Sequence, residues 1–508
     1  MLNHLKPINA ILCADGYKGG HWEELPLDIL YNYAVCVPRK VSPYSKKIVA
    51  MGMAMAASFF ASVRITREMI DEAELEITQQ GYRFNRAGWE YIVNEHGGKL
   101  PLEIFGVEEG RLVDPQTPIL GIRNTDPKLA WLPTYYETFL QALVWKMSTV
   151  ASVCRAVRIS LIEFCEMTGT DPSCVNYMLH NFGDRSADSP HEAAIIAGIA
   201  HAALFDGSDC IRANGYIKAL YGTTEPSTSS IEATEHSVMC AHSDAEHKDD
   251  WGAALMAVDR LYACVQRAKE GIGLPFMSVV IDTYDSRRFV RDYLGTRLKD
   301  RILASGGRLI ARPDSGDPTI EPGLVAKDLE DTFGVTERTV KMMEYDEETG
   351  FPYQVAHKTY KVLHPAVGVI QGDGIRVGTF EGVVQGWIDA GYALDNFCLG
   401  MGSGVTHDGA RDDFSFSFKS VATFRNGEWY RELKDPITDS GKKSLSGLVC
   451  CREDDNGNLV VVDAMNQPDS ECMDVPIWSP TLGWQLYYAH GERVYRQEWN
   501  DVKKRARS

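Results

Sequence analysis

Between Ala151 and Asp413 short apolar runs return again and again, and nearly every one is followed at once by Gly, Asp, Arg or His. The runs are Val175 to Phe182, Cys210 to Ala213, Ile231 to Thr234, Met277 to Ile281, Arg308 to Ala311, Val367 to Ile370 and Phe397 to Leu399. Longer segments with helical spacing separate them. A short apolar run bounded by turn and polar residues reads as a buried strand. Strand, polar cluster and helix, repeated along 151–413, predict an α/β barrel. In such a barrel the chemistry collects at the C-terminal ends of the strands.

The flanks have a different texture. In 1–150, Lys46 to Gln80 and Trp131 to Arg158 are predicted helical, and Leu102 to Phe105 and Ile119 to Ile122 are predicted strands. In 414–508, Phe414, Phe416 and Phe418 alternate with serines, a period of two that suits a half-buried strand. Leu448 to Cys451 and Leu459 to Asp463 flank Asp455-Asn456-Gly457-Asn458, which predicts a hairpin. Glu344 to Lys361 reads as a surface excursion of hairpin type. The basic tail Lys503 to Arg507 reads as an exposed helix end.

The charge balance narrows the partners. With 52 basic and 70 acidic residues the net charge is -18. Such a surface repels nucleic acid and anionic membranes. An anionic small substrate then requires a local cluster of Arg and Lys. The 12 cysteines are scattered, with no C-x-x-C spacing, so a zinc ribbon or a thioredoxin-like site is not expected. Scattered thiols suit a reducing cytoplasm. Met1 to Ala14 has no signal-peptide pattern. The most apolar stretch, Val49 to Val63, is shorter than the roughly 20 residues that span a bilayer.

Residue types at the predicted strand ends are informative together. They are His180, Phe182, Asp184 and Arg185; Asp209; Glu235, His236 and Ser237; Asp282 and Asp285; Arg312, Asp314, Ser315 and Gly316; Gly372, Asp373 and Gly374; and Gly400, Gly402, Ser403 and Gly404, with Arg411 beyond. Gly-rich turns let backbone N–H groups approach a phosphate. Arg offers a bidentate fork to phosphate. Aspartates hold ribose hydroxyls or the waters of Mg²⁺, and Phe182 can stack on a flat heterocycle. Singly these are weak, since Gly-Asp-Gly is mostly a turn and a lone histidine mostly structural. Their shared position describes a sugar-phosphate site beside an aromatic ring.

These motifs resemble those of nicotinamide phosphoribosyltransferases. His180-Asn-Phe-Gly-Asp-Arg185 is similar to the family's His-x-Phe-Gly-x-Arg, and Ala233-Thr-Glu-His-Ser237 to its Ala-x-Glu-His-Ser. Asp282-Thr-Tyr-Asp285, Arg312-Pro-Asp-Ser-Gly316, Val369-Ile-Gln-Gly-Asp-Gly374 and Gly402-Ser-Gly404 follow in the family's order. Asp15-Gly-Tyr-Lys18 with His21 resembles its N-terminal motif, and Phe418-Lys419 and Lys434-Asp435-Pro436 match near the end.

The resemblance implies an incomplete α/β barrel with a second mixed α/β domain built from both terminal segments. It implies a homodimer with shared active sites, and NAD salvage from nicotinamide and phosphoribosyl pyrophosphate with ATP and Mg²⁺. Phe182 and a second copy's Tyr17 would sandwich the ring, and Asp209 would accept from the carboxamide. Asp15, Arg185 and Ser230 would complete the substrate contacts. Arg312 and Asp314 would hold the ribose, and Gly372, Asp373, Gly402 and Ser403 the 5′-phosphate. Arg39, Arg411, Lys419, Lys434 and Lys442 would meet pyrophosphate or ATP. His236 would be phosphorylated, with Asp282 orienting it, and Mg²⁺ would come with the pyrophosphate. Two residues depart from the animal enzymes: Asp184 stands where they carry Tyr, and Ser403 interrupts a glycine triplet.

Three alternatives frame the expectation. A nicotinate phosphoribosyltransferase shares the architecture, but Asp209 would repel a carboxylate by roughly 4 kcal/mol at about 4 Å and an effective dielectric near 20. A dinucleotide-binding oxidoreductase wants G-x-G-x-x-G after an early strand, and no such arrangement stands near the N-terminus. A non-catalytic protein on the same fold has no need of so many charges at strand ends.

Overall fold

The apolar runs build a six-stranded parallel sheet in the order Leu179–Asn181, Phe397–Met401, Val367–Gln371, Arg308–Arg312, Phe276–Val280, Glu232–Ala233. The computed structural model describes residues 9–189, 192–345, 352–438, 443–466 and 483–508. Single parallel bridges, Asn181↔Ser208 and Gly207↔Ser229, carry the sheet on from its first strand. Ser229 lies just ahead of Glu232, which opens the last strand, so the arc nearly returns on itself. Closure by single bridges instead of ladders is the mark of an incomplete barrel. The central strands Phe276–Val280 and Val367–Gln371 are mostly apolar and buried because helices cover a parallel sheet.

Those helices keep a 3.6-residue apolar stripe. Trp251–Lys269 buries Ala253, Ala254, Ala257, Val258, Leu261 and Val265. Phe380–Asp389 buries Phe380, Val383, Val384, Trp387 and Ile388, and Trp387 stacks on Phe397 with ring centroids 4.5 Å apart. This barrel lies in a unit made of residues 153–216 and 225–408, and the second unit comprises 1–152, 217–224 and 409–508. The second unit holds a seven-stranded antiparallel sheet, in the order Glu428–Arg431, Ser417–Arg425, Tyr31–Val37, Leu120–Asn124, Leu102–Gly106, Gln485–Ala489, Glu492–Arg493. Strands from both ends of the chain thus share one sheet. No helix among the described residues is long and apolar enough to cross a membrane, and no disulfide joins the described cysteines. Burial pushes the thiols of Cys154 and Cys398 up to about 12.

Several expectations need correction. Cys210 to Ala213 is not a strand but opens the helix Ile211–Tyr221. Ala213, Ile217, Leu220 and Tyr221 are its buried stripe while Ile211 is 84% exposed, so the spacing is helical and the short run is misleading. The strand-like backbone lies just upstream, at Gly207 and Ser208. Of Val175 to Phe182 only Leu179–Asn181 is extended, because a 3-10 helix capped by Asp171 occupies Pro172–Tyr177. Lys46 to Gln80 is three pieces: the strand Ile48–Val49 and the helices Met53–Ser62 and Arg67–Gln79. Gly52, at φ 109°, precedes the first helix, and Thr66 caps the second by accepting from the Met69 N–H. Phe414 and Phe416 are buried but precede the strand, which starts at Ser417, because Ser415 turns the chain at φ 51°. The hairpin Val449–Glu453 with Leu459–Asp463 forms as expected. The excursion is a hairpin of Val335–Tyr345 with Pro352–Leu363, longer than its polar stretch indicated.

Candidate functional site

The strand ends of the parallel sheet bring His236, Asp282, Asp314, Arg312 and Phe182 together. His236 opens the short helix His236–Ala241 and is 46% exposed. Its Nε2 stands 3.4 Å from Asp282 Oδ1 and its Nδ1 3.7 Å from Asp314 Oδ2. Both separations lie beyond a good N–H···O bond, so no locked hydrogen bond fixes the ring. Asp282 is held firmly. Its Oδ2 accepts from the Asp314 N–H at 2.9 Å and from the Ser315 hydroxyl. Its Oδ1 is buried without a hydrogen-bond partner and faces the imidazole.

Arg312 ends its strand and donates from Nη2 to Asp314 Oδ1 at 2.8 Å. Its guanidinium lies 5.5 Å from the centroid of the Phe182 ring. Its Nε is buried and has no partner. A Cβ at Gly372 would come 3.2 Å from that nitrogen. An unpaired buried N–H is costly in a finished core, and beside a glycine turn it suits an anionic ligand.

Phe182 is set by the neighbouring strand, since its N–H donates to the Met401 carbonyl at 2.8 Å. Gly400 leaves the space its ring fills: a Cβ there would sit 1.9 Å from Phe182 Cε2. Gly400→Ala is therefore expected to expel the ring and lower stability by about 1–3 kcal/mol. Chemical denaturation checks this, and an unchanged midpoint would contradict the packing.

Asp209 stands at the end of the Gly207 and Ser208 bridge segment and not ahead of a strand. Its N–H donates to the Asn181 carbonyl at 3.0 Å, and its Oδ1 accepts from the Ser230 hydroxyl. His180 lies buried nearby. Burial lowers its imidazole below the usual range, and the Asp209 carboxylate acts in the opposite direction. A cavity of ≈ 370 Å³ is lined by His180, Ser230, Phe276, Ile310 and Val369 among others. A larger cleft of ≈ 720 Å³ lies outside the sheet, beside Leu324, Gly386 and Tyr392, and touches none of these residues.

The remaining barrel residues fall at the same strand ends. Gly372 and Asp373 follow Val367–Gln371, and Gln371 donates to the Asp373 carbonyl at 3.0 Å. Gly402 and Ser403 follow Phe397–Met401, with Ser403 opening the helix Ser403–His407. Arg185 is exposed, and Asp184 pairs with Arg212 at 3.6 Å.

Asp15, Tyr17, Arg39, Arg411, Lys419 and Lys434 belong to the other unit. Asp15 accepts from the Thr138 hydroxyl at 2.9 Å, and Tyr17 is 49% exposed. Arg39 donates to the Ser415 carbonyl and hydroxyl. Arg411 pairs with Asp412 and Lys419 with Glu137. The Lys434 N–H donates to the Ser444 hydroxyl while its side chain is exposed. Lys442 lies outside the described residues. Arg376 and Asp408 escaped the sequence reading. They lie 32 residues apart in the chain, so no local motif joins them.

Comparison with known proteins follows the same lines. Residues 177–468 match the nicotinate phosphoribosyltransferase (NAPRTase) family, and residues 9–104 match the nicotinamide phosphoribosyltransferase N-terminal domain. A nicotinamide phosphoribosyltransferase of Xanthomonas campestris is 33% identical over 92% of this chain and 94% of its own. One of Acinetobacter baylyi is 30% identical over 89% of each. Among solved structures, a nicotinate-nucleotide pyrophosphorylase of Pyrococcus furiosus aligns with TM-score 0.58 at 12% identity, covering 100% of this chain and 97% of that one. Human nicotinic acid phosphoribosyltransferase aligns with TM-score 0.52 at 14% identity, covering 97% and 92%. At those identities the two structures speak for the fold.

Proposed function

Since the chain belongs to the nicotinate phosphoribosyltransferase family and is thereby a phosphoribosyltransferase enzyme, we propose that it joins nicotinamide to phosphoribosyl pyrophosphate. The products are nicotinamide mononucleotide and pyrophosphate, and the setting is NAD salvage. The observation that carries the reading is the convergence of Phe182, Arg312, Asp314 and His236 at strand ends of one sheet. The pyridine nitrogen, already an unprotonated nucleophile, attacks the anomeric carbon as the bond to pyrophosphate breaks. Phe182 stacks on the ring, Arg312 and Asp314 hold the ribose, and the turns at Gly372, Asp373, Gly402 and Ser403 take the 5′-phosphate. Arg185 and Ser230 add substrate contacts.

ATP enters as a second substrate. A ring nitrogen of His236, which stands between Asp282 and Asp314, takes the γ-phosphoryl group: an N–P bond forms, the P–O bond to ADP breaks, and water later cleaves the N–P bond and releases phosphate. Among the described residues no group of three or more His, Cys, Asp or Glu is placed to hold a metal. Mg²⁺ is assigned to the oxygens of the substrate pyrophosphate, where it would neutralise the leaving group. A second copy of the chain would contribute Tyr17, Asp15 would add a substrate contact, and Arg39, Arg411, Lys419, Lys434 and Lys442 would meet pyrophosphate or ATP.

Asp209 decides between amide and acid. Its carboxylate, held by Ser230, suits the N–H donors of a carboxamide and repels a carboxylate. Incubation with phosphoribosyl pyrophosphate, Mg²⁺, ATP and either nicotinamide or nicotinate, read by product mass, tests the reading. The wild type is expected to prefer nicotinamide, and Asp209→Asn to lose at least about tenfold of that preference, about a third of the estimated repulsion. Wild-type use of nicotinate alone would overturn the reading, and unchanged discrimination in Asp209→Asn would overturn the role of that residue.

A further inference from the structure

We infer that Arg376 and Asp408 are positioning residues that hold the two phosphate-facing loops of the barrel in register with each other. The inference rests on reading the turns at Gly372 and Gly402 as the cradle of the 5′-phosphate. Val367–Gln371 and Phe397–Met401 pair in parallel, and their ladder ends at Gln371↔Leu399. Beyond that point the first strand turns away, the second runs on to Met401 against Leu179–Asn181 before its own turn, and Asp408 ties the two turns together.

The tie has several parts. Asp408 follows the helix Ser403–His407 and donates its own N–H to the Gly404 carbonyl. Its side chain is 7% exposed. Oδ1 accepts from Arg376 Nε at 2.7 Å and from Arg376 Nη2, while Oδ2 accepts from the Val377 N–H at 2.7 Å. On the other side Arg376 is part of a laced turn. Its N–H donates to the Thr379 hydroxyl at 3.0 Å, and that hydroxyl donates to the Gly374 carbonyl at 2.9 Å. A hydrogen-bonded path therefore runs from Gly374 through Thr379 and Arg376 to Asp408 and the helix that Ser403 begins. Gly404 leaves the space for it, since a Cβ there would come 3.0 Å from Asp408 Oδ2.

The physical reason for such a tie is the geometry of phosphate binding. Two separate turns offer N–H groups to one tetrahedral anion, and both must be right together. A displacement of about 1 Å in a positioned group costs on the order of a hundredfold in rate. Charge-assisted bonds around a largely buried carboxylate are shorter and stronger than neutral ones, which suits a brace. Neither residue touches the ribose or the ring in this reading. The effect should therefore appear in phosphoribosyl pyrophosphate binding and not in nicotinamide binding.

Arg376→Ala, Arg376→Lys and the exchanged pair Arg376→Asp with Asp408→Arg test this. Arg376 is half-exposed, so its single variants should fold even where changes at Asp408 do not. The readouts are KM for each substrate, kcat, thermal stability, and calorimetric binding of phosphoribosyl pyrophosphate with Mg²⁺ and no acceptor. In Arg376→Ala the KM and Kd for phosphoribosyl pyrophosphate should rise about tenfold, with the nicotinamide KM changing less than about twofold. Arg376→Lys should keep part of the affinity, and the exchanged pair should recover part of it. Unchanged phosphoribosyl pyrophosphate binding in Arg376→Ala would overturn the inference. So would a fall in kcat that tracks lost folded protein while both KM values stay constant, which is what a merely structural pair would give. Wild-type protein that binds phosphoribosyl pyrophosphate but ignores nicotinamide would sink the proposed acceptor, and calorimetry would still decide on the brace. Wild-type protein that binds no phosphoribosyl pyrophosphate would sink both.

Discussion

His236→Ala is expected to fold like the wild type and to lose all stimulation by ATP. The side chain is 46% exposed and approaches Asp282 no closer than 3.4 Å, so its removal gives up little packing. Exposed substitutions of this kind usually change stability by less than about 0.5 kcal/mol. The chemical loss is of another order. On the proposed mechanism the ring nitrogen carries the phosphoryl group, so ATP hydrolysis should fall on the order of 100-fold or more in the variant. Product should still form slowly, because the attacking nitrogen belongs to nicotinamide. Two measurements check this: acid-labile phosphate on the protein after exposure to γ-labelled ATP, and product formation with and without ATP. A variant that hydrolyses ATP at the wild-type rate would remove His236 from the proposal, whatever its effect on the transfer.

The second large effect belongs to Arg312. Arg312→Ala should lower kcat/KM for phosphoribosyl pyrophosphate on the order of a thousandfold, roughly 4 kcal/mol. Arg312→Lys should restore only a minor part, because an ammonium lacks the planar fork. Two features set this magnitude. The guanidinium is mostly buried, with one N–H bonded to Asp314 and Nε left without a partner. It also lies against the face of Phe182, so its loss disturbs the ring slot and the sugar site together. The cost to the empty protein should be smaller, because there the guanidinium gives up one bond to Asp314 and its contact with the Phe182 ring. Thermal unfolding separates the two effects: phosphoribosyl pyrophosphate with Mg²⁺ should raise the Tm of the wild type and leave that of Arg312→Ala almost unmoved. An equal ligand-induced rise in both proteins would contradict the assignment.

Both residues are legible in the sequence, and the reason is local. Arg312 directly follows the run Arg308 to Ala311, His236 stands two residues past the run Ile231 to Thr234, and in a parallel α/β sheet that position is the functional edge. The same logic found Phe182, Asp282, Asp314 and Gly372. It failed where apolar residues were few and the periodicity ambiguous. Cys210 to Ala213 offered four residues, too few to tell a strand from the start of the helix Ile211–Tyr221. The error displaced the strand but not the site, since Asp209 still sits at the end of a bridge segment.

What the chain determined by itself was the alternation of strand, polar cluster and helix, and with it the set of side chains available to one edge of a sheet. Backbone hydrogen bonding makes that step from pattern to edge nearly automatic. Only the tertiary structure decided which of those side chains face one another. The unpaired Oδ1 of Asp282 and Nε of Arg312, the slot that Gly400 leaves for Phe182, and the tie between Arg376 and Asp408 all join distant segments. The physical reason is range: periodicity is set by neighbours a few residues away, whereas pairing across turns depends on how strands are ordered in the sheet, and no local spacing encodes that order.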